Sequence, residues 1–457
     1  MATMTILGAG LAGLTTAMML TRDGHEVTVL ERDPEAPGGR PWDDWRRPGV
    51  NQFRLPHYML PRWWAELRAS LPEAAEAMLA AGATRFNGLT ALPPRVRGEI
   101  RDGDERFDTV TARRPVLEAA LAAGVTVRRG VRVTGVRTDG RTPVPRVTGV
   151  TTTGGAVPAD LVVDCGGRRS ALAGWLAAAG ARQPLQERAD AGFVYYGRHF
   201  RSRSGPPPVR TVLVQPYASM SVLTLPADHD TWSVVLTASA KDRALRALRE
   251  PAVWSAVVAR YPPAAEWIDA EPITGVDVMA GIEDRLRRYV IDGHPVATGV
   301  VSVGDAWACT NPSLGRGASF AIIHARVLRD VLREVGTDDH DKLVRRFDEA
   351  TSRTVEPLYR ATNFFDTHRL AEIDGDVAGV PYEPAEPRWA GAKALFAAAL
   401  RDPAMLRAYL SVASFLATPD EVFATPGLRD RVLELGGSAP RYPLPGPSRA
   451  ELLEVLR

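Results

Sequence analysis

The chain has 457 residues, and 56 Lys and Arg against 54 Asp and Glu leave a formal charge of only +2. With 45% hydrophobic and 24% charged residues it is long enough for two or three domains of about 150 residues each, which excludes disorder as its general state. Arginines and acids alternate along the whole length, so the clustered basic footprint of a nucleic-acid binder is missing.

In chain order, Met4–Leu7 reads as a short strand. The turn Gly8-Ala9-Gly10-Leu11-Ala12-Gly13 then opens a helix over Leu11–Thr21 that Gly24 ends, and a second strand, Glu26–Leu30, finishes at Glu31. Residues 34–56 are rich in Pro, Gly and Arg and read as a long functional loop, and helical patterns follow over about 57–82. A helix over Arg113–Ala123 leads to strands at Val125–Val127, Val131–Val133 and Leu161–Val163, the last ending at Asp164. From Ala191 to Ala238 alternating aromatic and β-branched runs predict an antiparallel sheet, with strands at Phe193–Tyr196, Thr211–Val214 and Trp232–Leu236. The first domain resumes at Val300–Val303, the chain is mostly helical from Ala318, and a Gly/Pro-rich link at about 436–448 precedes a final helix. No apolar run approaches the ~20 residues of a bilayer span, and a signal-peptide pattern is missing, so a cytoplasmic protein is expected. Cys165 and Cys309 stand far apart without CxxC spacing and the histidines are scattered, so neither a disulfide framework nor a metal site is expected.

Three glycine motifs carry the chemistry. The first, GxGxxG between two strands with an acid at the end of the second, predicts a dinucleotide site: the glycines let backbone N–H groups approach a pyrophosphate, and Glu31 would accept from ribose hydroxyls. The second is Asp164-Cys165-Gly166-Gly167-Arg168-Arg169-Ser170 at a strand end. The third is Gly304-Asp305-Ala306, followed by Pro312 and by Gly315-Arg316-Gly317 opening a helix. In isolation the second and third also suit plain turns and helix caps.

In order and spacing these motifs resemble the FAD-dependent monooxygenases of the p-hydroxybenzoate hydroxylase fold, over about residues 1–335. The runs Arg47–His57 and Val162–Ser170, with Trp175-Leu176 after them, look most like the epoxidase-type branch that includes actinobacterial polyether epoxidases. The resemblance implies an α/β fold with a Rossmann-like GR2-type FAD-binding domain (1–60, 100–180 and 285–335). An inserted antiparallel β-sheet substrate domain (61–99 and 181–284) and a C-terminal helical region (336–457) complete it. It implies that Gly8, Gly10, Leu11, Ala12, Gly13, Glu31 and Arg32 hold the ADP half of FAD, and that Arg114 and Asp305 lie near the pyrophosphate and ribityl chain. Val133 would also touch the cofactor, Pro312, Gly315, Gly317 and Ala318 would hold the flavin ring, and Arg47, Gln52 and His57 lie in the loop running toward it. For His57 a hydrogen-bonded loop histidine is a plainer reading than a catalytic base, so no catalytic residue is assigned.

The implied activity is oxygen transfer from a flavin C4a-(hydro)peroxide, hydroxylating or epoxidising an apolar or aromatic small metabolite of secondary metabolism, with dioxygen as co-substrate. NAD(P)H would be the ultimate electron donor. Gly166 replaces the second Asp of the Asp-x-Asp-Gly motif of hydroxylases that use NADPH directly, so a separate flavin reductase could deliver the electrons. Flavin-dependent halogenases share an Asp-Cys-x-Gly middle motif but need an N-terminal lysine, and the first lysine here is Lys241. Phe193, Tyr195, Tyr196, Tyr217 and Met220 on the antiparallel strands either line the substrate pocket or form core. Two rivals stay open: a flavin-dependent reductase or dehydrogenase of the geranylgeranyl reductase kind, and a non-catalytic scaffold of the same fold.

Overall fold

The computed structural model describes residues 1–190 and 192–456. Ala191, the expected start of the alternating region, and Arg457, the expected end of the helical region, lie outside the described residues. The framework is a five-stranded parallel sheet in the order Val300–Ser302, Leu161–Asp164, Thr3–Leu7, Glu26–Glu31, Val127–Arg129. The central strands Thr3–Leu7 and Leu161–Asp164 are almost wholly buried because both faces of the sheet are covered: helices 11–22 and 317–335 pack on one, and the antiparallel strands Val133–Thr138, Val147–Thr152 and Gly155–Pro158 with helix Leu172–Ala178 pack on the other. Helices Leu11–Arg22 and Gly317–Val335 pack against each other in its main core with Met4, Ile6 and Val163.

Helix Pro61–Ser70 joins that same core through Trp63, Trp64 and Leu67, and the core continues through Met78 to Ala83. The stretch 61–83, expected in the substrate domain, therefore packs with the dinucleotide domain: its apolar face is buried by helix 317–335. The predicted strands at 125–127 and 131–133 form at Val127–Arg129 and Val133–Thr138 instead, and the one at 211–214 begins only at Val214. Val131, Val212 and Leu213 border a large internal cavity, and Val131 and Val212 also pack in neighbouring apolar clusters, a burial that resembles that of a strand.

The second sheet orders Val214–Pro216, Met220–Pro226, Thr231–Ser239, Phe193–Arg201 and Glu271–Pro272, with Asp277–Ala280 also pairing to Phe193–Arg201. Its pairings are antiparallel throughout. Side chains alternate between faces: Val194 and Tyr196 enter a core with Trp232, Trp254 and Trp267, whereas Phe193 and Tyr195 face the cavity. The C-terminal helices Pro387–Ala399, Pro403–Ala413 and Leu428–Gly436 build small cores of their own and close the cavity from outside. Among the described residues no helix is long and apolar enough to cross a membrane.

Candidate functional site

One cavity of about 1190 Å³ runs from the first glycine turn, past the loop at 312–317, to a chamber between the antiparallel sheet and the C-terminal helices. Its nucleotide end is shaped by glycine geometry. Gly8 has φ of +96°, and a Cβ there would lie 2.8 Å from the Cys165 carbonyl oxygen. Gly10 precedes the helix without a side-chain cap, so the first-turn N–H groups of a buried helix remain for a ligand. The Glu31 carboxylate holds the turn in place: it accepts from the Ala9 N–H at 2.8 Å and the Asp33 N–H at 2.9 Å, and it is bridged to Arg47.

Arg47 also donates to the Ala9 carbonyl at 2.8 Å and to Glu118 at 2.5 Å, and Arg114 donates to the other Glu118 oxygen at 2.6 Å. Burial alone would raise the Glu118 carboxyl, but Arg114 and Arg47 outweigh it and hold it below its ordinary value. The second nitrogen of Arg114 reaches His57 Nε2 at 3.1 Å, and His57 Nδ1 lies 2.9 Å from the Leu55 carbonyl. An arginine only donates and a carbonyl only accepts, so Nδ1 carries the proton and Nε2 accepts. Both ring nitrogens are engaged, and burial and Arg114 push the His57 pKa down to about 3, so the ring is neutral. His57 thus orients Arg114.

The middle motif ties strand ends together. Asp164 accepts from the Gly166 N–H at 2.9 Å, Ser170 Oγ at 2.5 Å and Ser302 Oγ at 3.4 Å, which joins two neighbouring strands below the turn. Asp305 lies in the cavity wall, where burial raises its carboxyl above the ordinary value. Gly315 has φ of +67°, and a Cβ there would meet the Tyr58 carbonyl at 3.2 Å, so the loop at 312–317 lies close against residues 57–58.

Of the residues the sequence assigns to the cofactor, Gly8, Gly10, Leu11, Ala12, Glu31, Arg32, Arg47, Gln52, Arg114, Val133, Asp305, Pro312, Gly315, Gly317 and Ala318 line this one cavity, with His57 among them. Gly13 does not: it packs against the Gly8 carbonyl, where a Cβ would collide. Phe193 and Tyr195 line the chamber, and Tyr195 Oη donates to Asn311 Oδ1. Tyr217 and Met220, expected beside them, are core: Tyr217 packs on the Tyr261 ring at 4.5 Å, and Met220 is fully buried in the same cluster. Tyr196 lies in that cluster too.

Sequence reasoning missed several groups. Glu118 stands four residues after Arg114, a helical spacing that could have flagged it. Arg316, lying between two motif glycines, was legible as a position but not as a charge in the wall. Arg369, Glu372, Trp389 and Lys393 line the far end and come from helices without a motif. Glu372 accepts from Arg369 and Lys393, each at 3.2 Å, and from Trp389 Nε1 at 3.2 Å.

Comparisons with known proteins agree with this layout. Residues 6–69 match the family described as an NAD(P)-binding Rossmann-like domain. The chain is 27% identical to Protein Rv3254 of Mycobacterium tuberculosis, over 93% of this chain and 91% of that one. Among solved structures it is similar to PqsL of Pseudomonas aeruginosa, described as "a probable FAD-dependent monooxygenase", with a TM-score of 0.61 and 18% identity over 83% of this chain and 100% of that one. It is also similar to Klebsiella pneumoniae HpxO in complex with FAD, with a TM-score of 0.58 and 16% identity over 95% of this chain and 99% of that one. The chain therefore has the mixed α/β fold of these flavoproteins, a Rossmann-like domain carrying an antiparallel sheet beside it.

Proposed function

We propose that the chain is an FAD-dependent monooxygenase that hydroxylates or epoxidises an apolar or aromatic small metabolite, as in secondary metabolism. The observation that carries this reading is the continuity of one cavity from the Gly8–Gly10 turn, past Asp305 and the 312–317 loop, into a chamber walled by Phe193 and Tyr195. An adenine dinucleotide with a long linker to a flat ring fits that shape. The bared N-terminus of helix 11–22 and the Gly8 approach suit a pyrophosphate, and the loop at 312–317 suits a ring.

When bound and reduced, FAD supplies the activation of dioxygen. The chain's own residues bind and orient. Glu31 and Arg47 fix the turn that receives the nucleotide, Glu118 and His57 aim Arg114 into the cavity, and the C-terminal helices exclude water from the chamber. The FAD-binding, substrate and helical segments follow the boundaries given above, with 61–83 joined to the first. PqsL has been crystallised with 2-aminobenzoylacetate, an aromatic ligand, which supports a chamber for ring-bearing substrates in this fold. NAD(P)H is the ultimate electron donor in this reading, through a separate flavin reductase.

The test loads the purified protein with FAD and mixes it anaerobically with NADH or NADPH, with and without a general flavin reductase. Oxygen uptake is then compared with product formed. Bleaching of the flavin through the reductase, and one oxygen atom inserted per turnover, are expected. Product formed without oxygen insertion would make it a reductase or dehydrogenase, and a colourless protein that refuses FAD would leave a scaffold.

A further inference from the structure

Arg32, Arg132, Arg168 and Arg169 at the cavity rim are partly or fully exposed, and the more deeply buried charges differ in how they are balanced. At the nucleotide end Arg47 and Arg114 face Glu31 and Glu118. At the far end Arg369 and Lys393 share Glu372. Arg316, between the two, is different. Among the described residues it makes no ion pair, although it is only 6% exposed and lines the cavity. Its Nη1 donates to Thr362 Oγ1 at 2.9 Å, its guanidinium carbon lies 4.5 Å from the Phe415 ring centre, and its buried Nε has no acceptor.

A buried guanidinium without a counter-charge is unfavourable. Asp366 acts on Arg316 electrostatically, but one of its oxygens accepts from Ser313 Oγ at 2.5 Å, and burial beside Asp284 pushes its pKa up to about 8. Among the described residues Asp366 forms no ion pair with Arg316, its second oxygen has no hydrogen-bond partner, and burial disfavours its charged form. Burial draws the Arg316 pKa down only to about 10, so the guanidinium keeps its charge. The Nε N–H is closed off from the cavity, whereas among the described residues Nη2 makes no hydrogen bond, and a planar guanidinium resting on an aromatic face in the wall of an apolar chamber matches a carboxylate attached to an apolar body.

We propose that Arg316 anchors a carboxylate of the substrate, so that the chamber takes an apolar or aromatic acid. This deepens the oxygenase reading and rests on it for the word substrate. Its contacts, Thr362 and Phe415, belong to the C-terminal part and not to the Gly8–Gly10 turn that would receive the phosphates of a dinucleotide. Lys393 is the weaker anchor because Glu372 already neutralises it.

The experiment uses FAD-loaded protein and two probes of the same shape, 2-naphthoate and 2-naphthamide, titrated by calorimetry into wild type, Arg316→Lys and Arg316→Met. The FAD midpoint potential of each is recorded as well. Wild type is expected to bind naphthoate saturably and at least about tenfold more tightly than the amide, the worth of one charge-assisted bond. Arg316→Lys should keep part of that preference, and Arg316→Met should bring the ratio near one while leaving naphthamide affinity unchanged. Equal binding of the two probes by wild type, or no saturable naphthoate binding, overturns the proposal. So does an Arg316→Met variant that keeps the preference, including one in which only the flavin potential moves, which would assign the guanidinium to the ring. If Arg316→Met does not fold, the wild-type ratio and the lysine variant still decide. Calorimetry needs no flavin signal, so protein that takes up no FAD defeats the oxygenase reading while the naphthoate preference is still read.

Discussion

Arg47 and Glu118, 71 residues apart in the chain, meet at 2.5 Å between a loop and a helix, and Glu118 is fully buried. This contact fixes the loop at 34–56 against the dinucleotide domain. Replacing Glu118 by Gln leaves the buried Arg114 without its carboxylate partner and removes one of three from Arg47, which keeps Glu31 and Asp33. A loss of about 3–5 kcal/mol in urea unfolding is expected, with weaker FAD retention after gel filtration. The folded pKa of Glu118 is depressed, so its contribution is present above the unfolded value of about 4.3 and is lost as pH falls through the folded value. The difference between wild type and Glu118→Gln should therefore be full near neutral pH and shrink in acid. A difference that stays constant with pH would mean that the charge is not what the site uses.

His324 makes the chain acid-sensitive. It is fully buried, it accepts from the Gly304 N–H at Nδ1 over 3.2 Å, and its Nε2 lies 3.1 Å from Thr351 Oγ1. Burial pushes its pKa down to about 3, against about 6.5 in the unfolded chain. Between those values the unfolded state holds the extra proton, so stability rises with pH across this window and falls as pH drops through it. The slope it contributes is up to about 1.4 kcal/mol per pH unit. Urea midpoints at several pH values between 7.5 and 5, a range set by the ~6.5 of free histidine, should fall on the acid side for wild type. They should fall less for His324→Gln, by about one proton's worth of slope. Identical slopes in the two proteins would contradict a neutral His324.

Gly13 and Gly39 differ in what a methyl group would meet. At Gly13 it collides with the Gly8 carbonyl, which cannot retreat because the Gly8 N–H is bonded to the Leu30 carbonyl at 2.8 Å. At Gly39 nothing lies within 4 Å. Gly13→Ala is expected to cost about 1–3 kcal/mol and to lower the FAD-to-protein ratio, by pushing the turn out of position. Gly39→Ala should stay within about 0.5 kcal/mol of wild type with full FAD content. The ratio of 450 nm to 280 nm absorbance, in the visible band that a bound flavin supplies, reads the second effect directly.

How much of this site could be read from the sequence depends on the range of the forces involved. The Gly8–Gly13 turn, Glu31 and the Asp305–Gly317 stretch were legible because each requires particular residues within a few positions of one another, in a strand–turn–helix context. The partner of helix 61–70 was not legible because its apolar face says only that it is buried, and the neighbour that buries it, helix 317–335, lies some 250 residues on in the sequence. The charge state of Arg316 was hidden for a similar reason: whether Asp366 compensates it depends on Ser313 and Asp284, contacts that no local pattern encodes.

The face of a strand is the last thing a sequence withholds. Phe193 and Tyr195 point into the chamber, while Tyr217 packs beneath the sheet on Tyr261 and against Gly446, where a Cβ would lie 2.7 Å from the Tyr217 ring. Truncating either aromatic removes apolar burial, but only Phe193 borders the space a ligand would fill. Tyr217→Ala is expected to lose about 3–5 kcal/mol in urea unfolding and to keep wild-type affinity for 2-naphthamide. Phe193→Ala is expected to change that affinity several-fold, because it enlarges the chamber at the wall. The two readouts together separate packing from recognition, and a Tyr217→Ala variant with altered probe affinity but unchanged stability would place the chamber on the other face of the sheet.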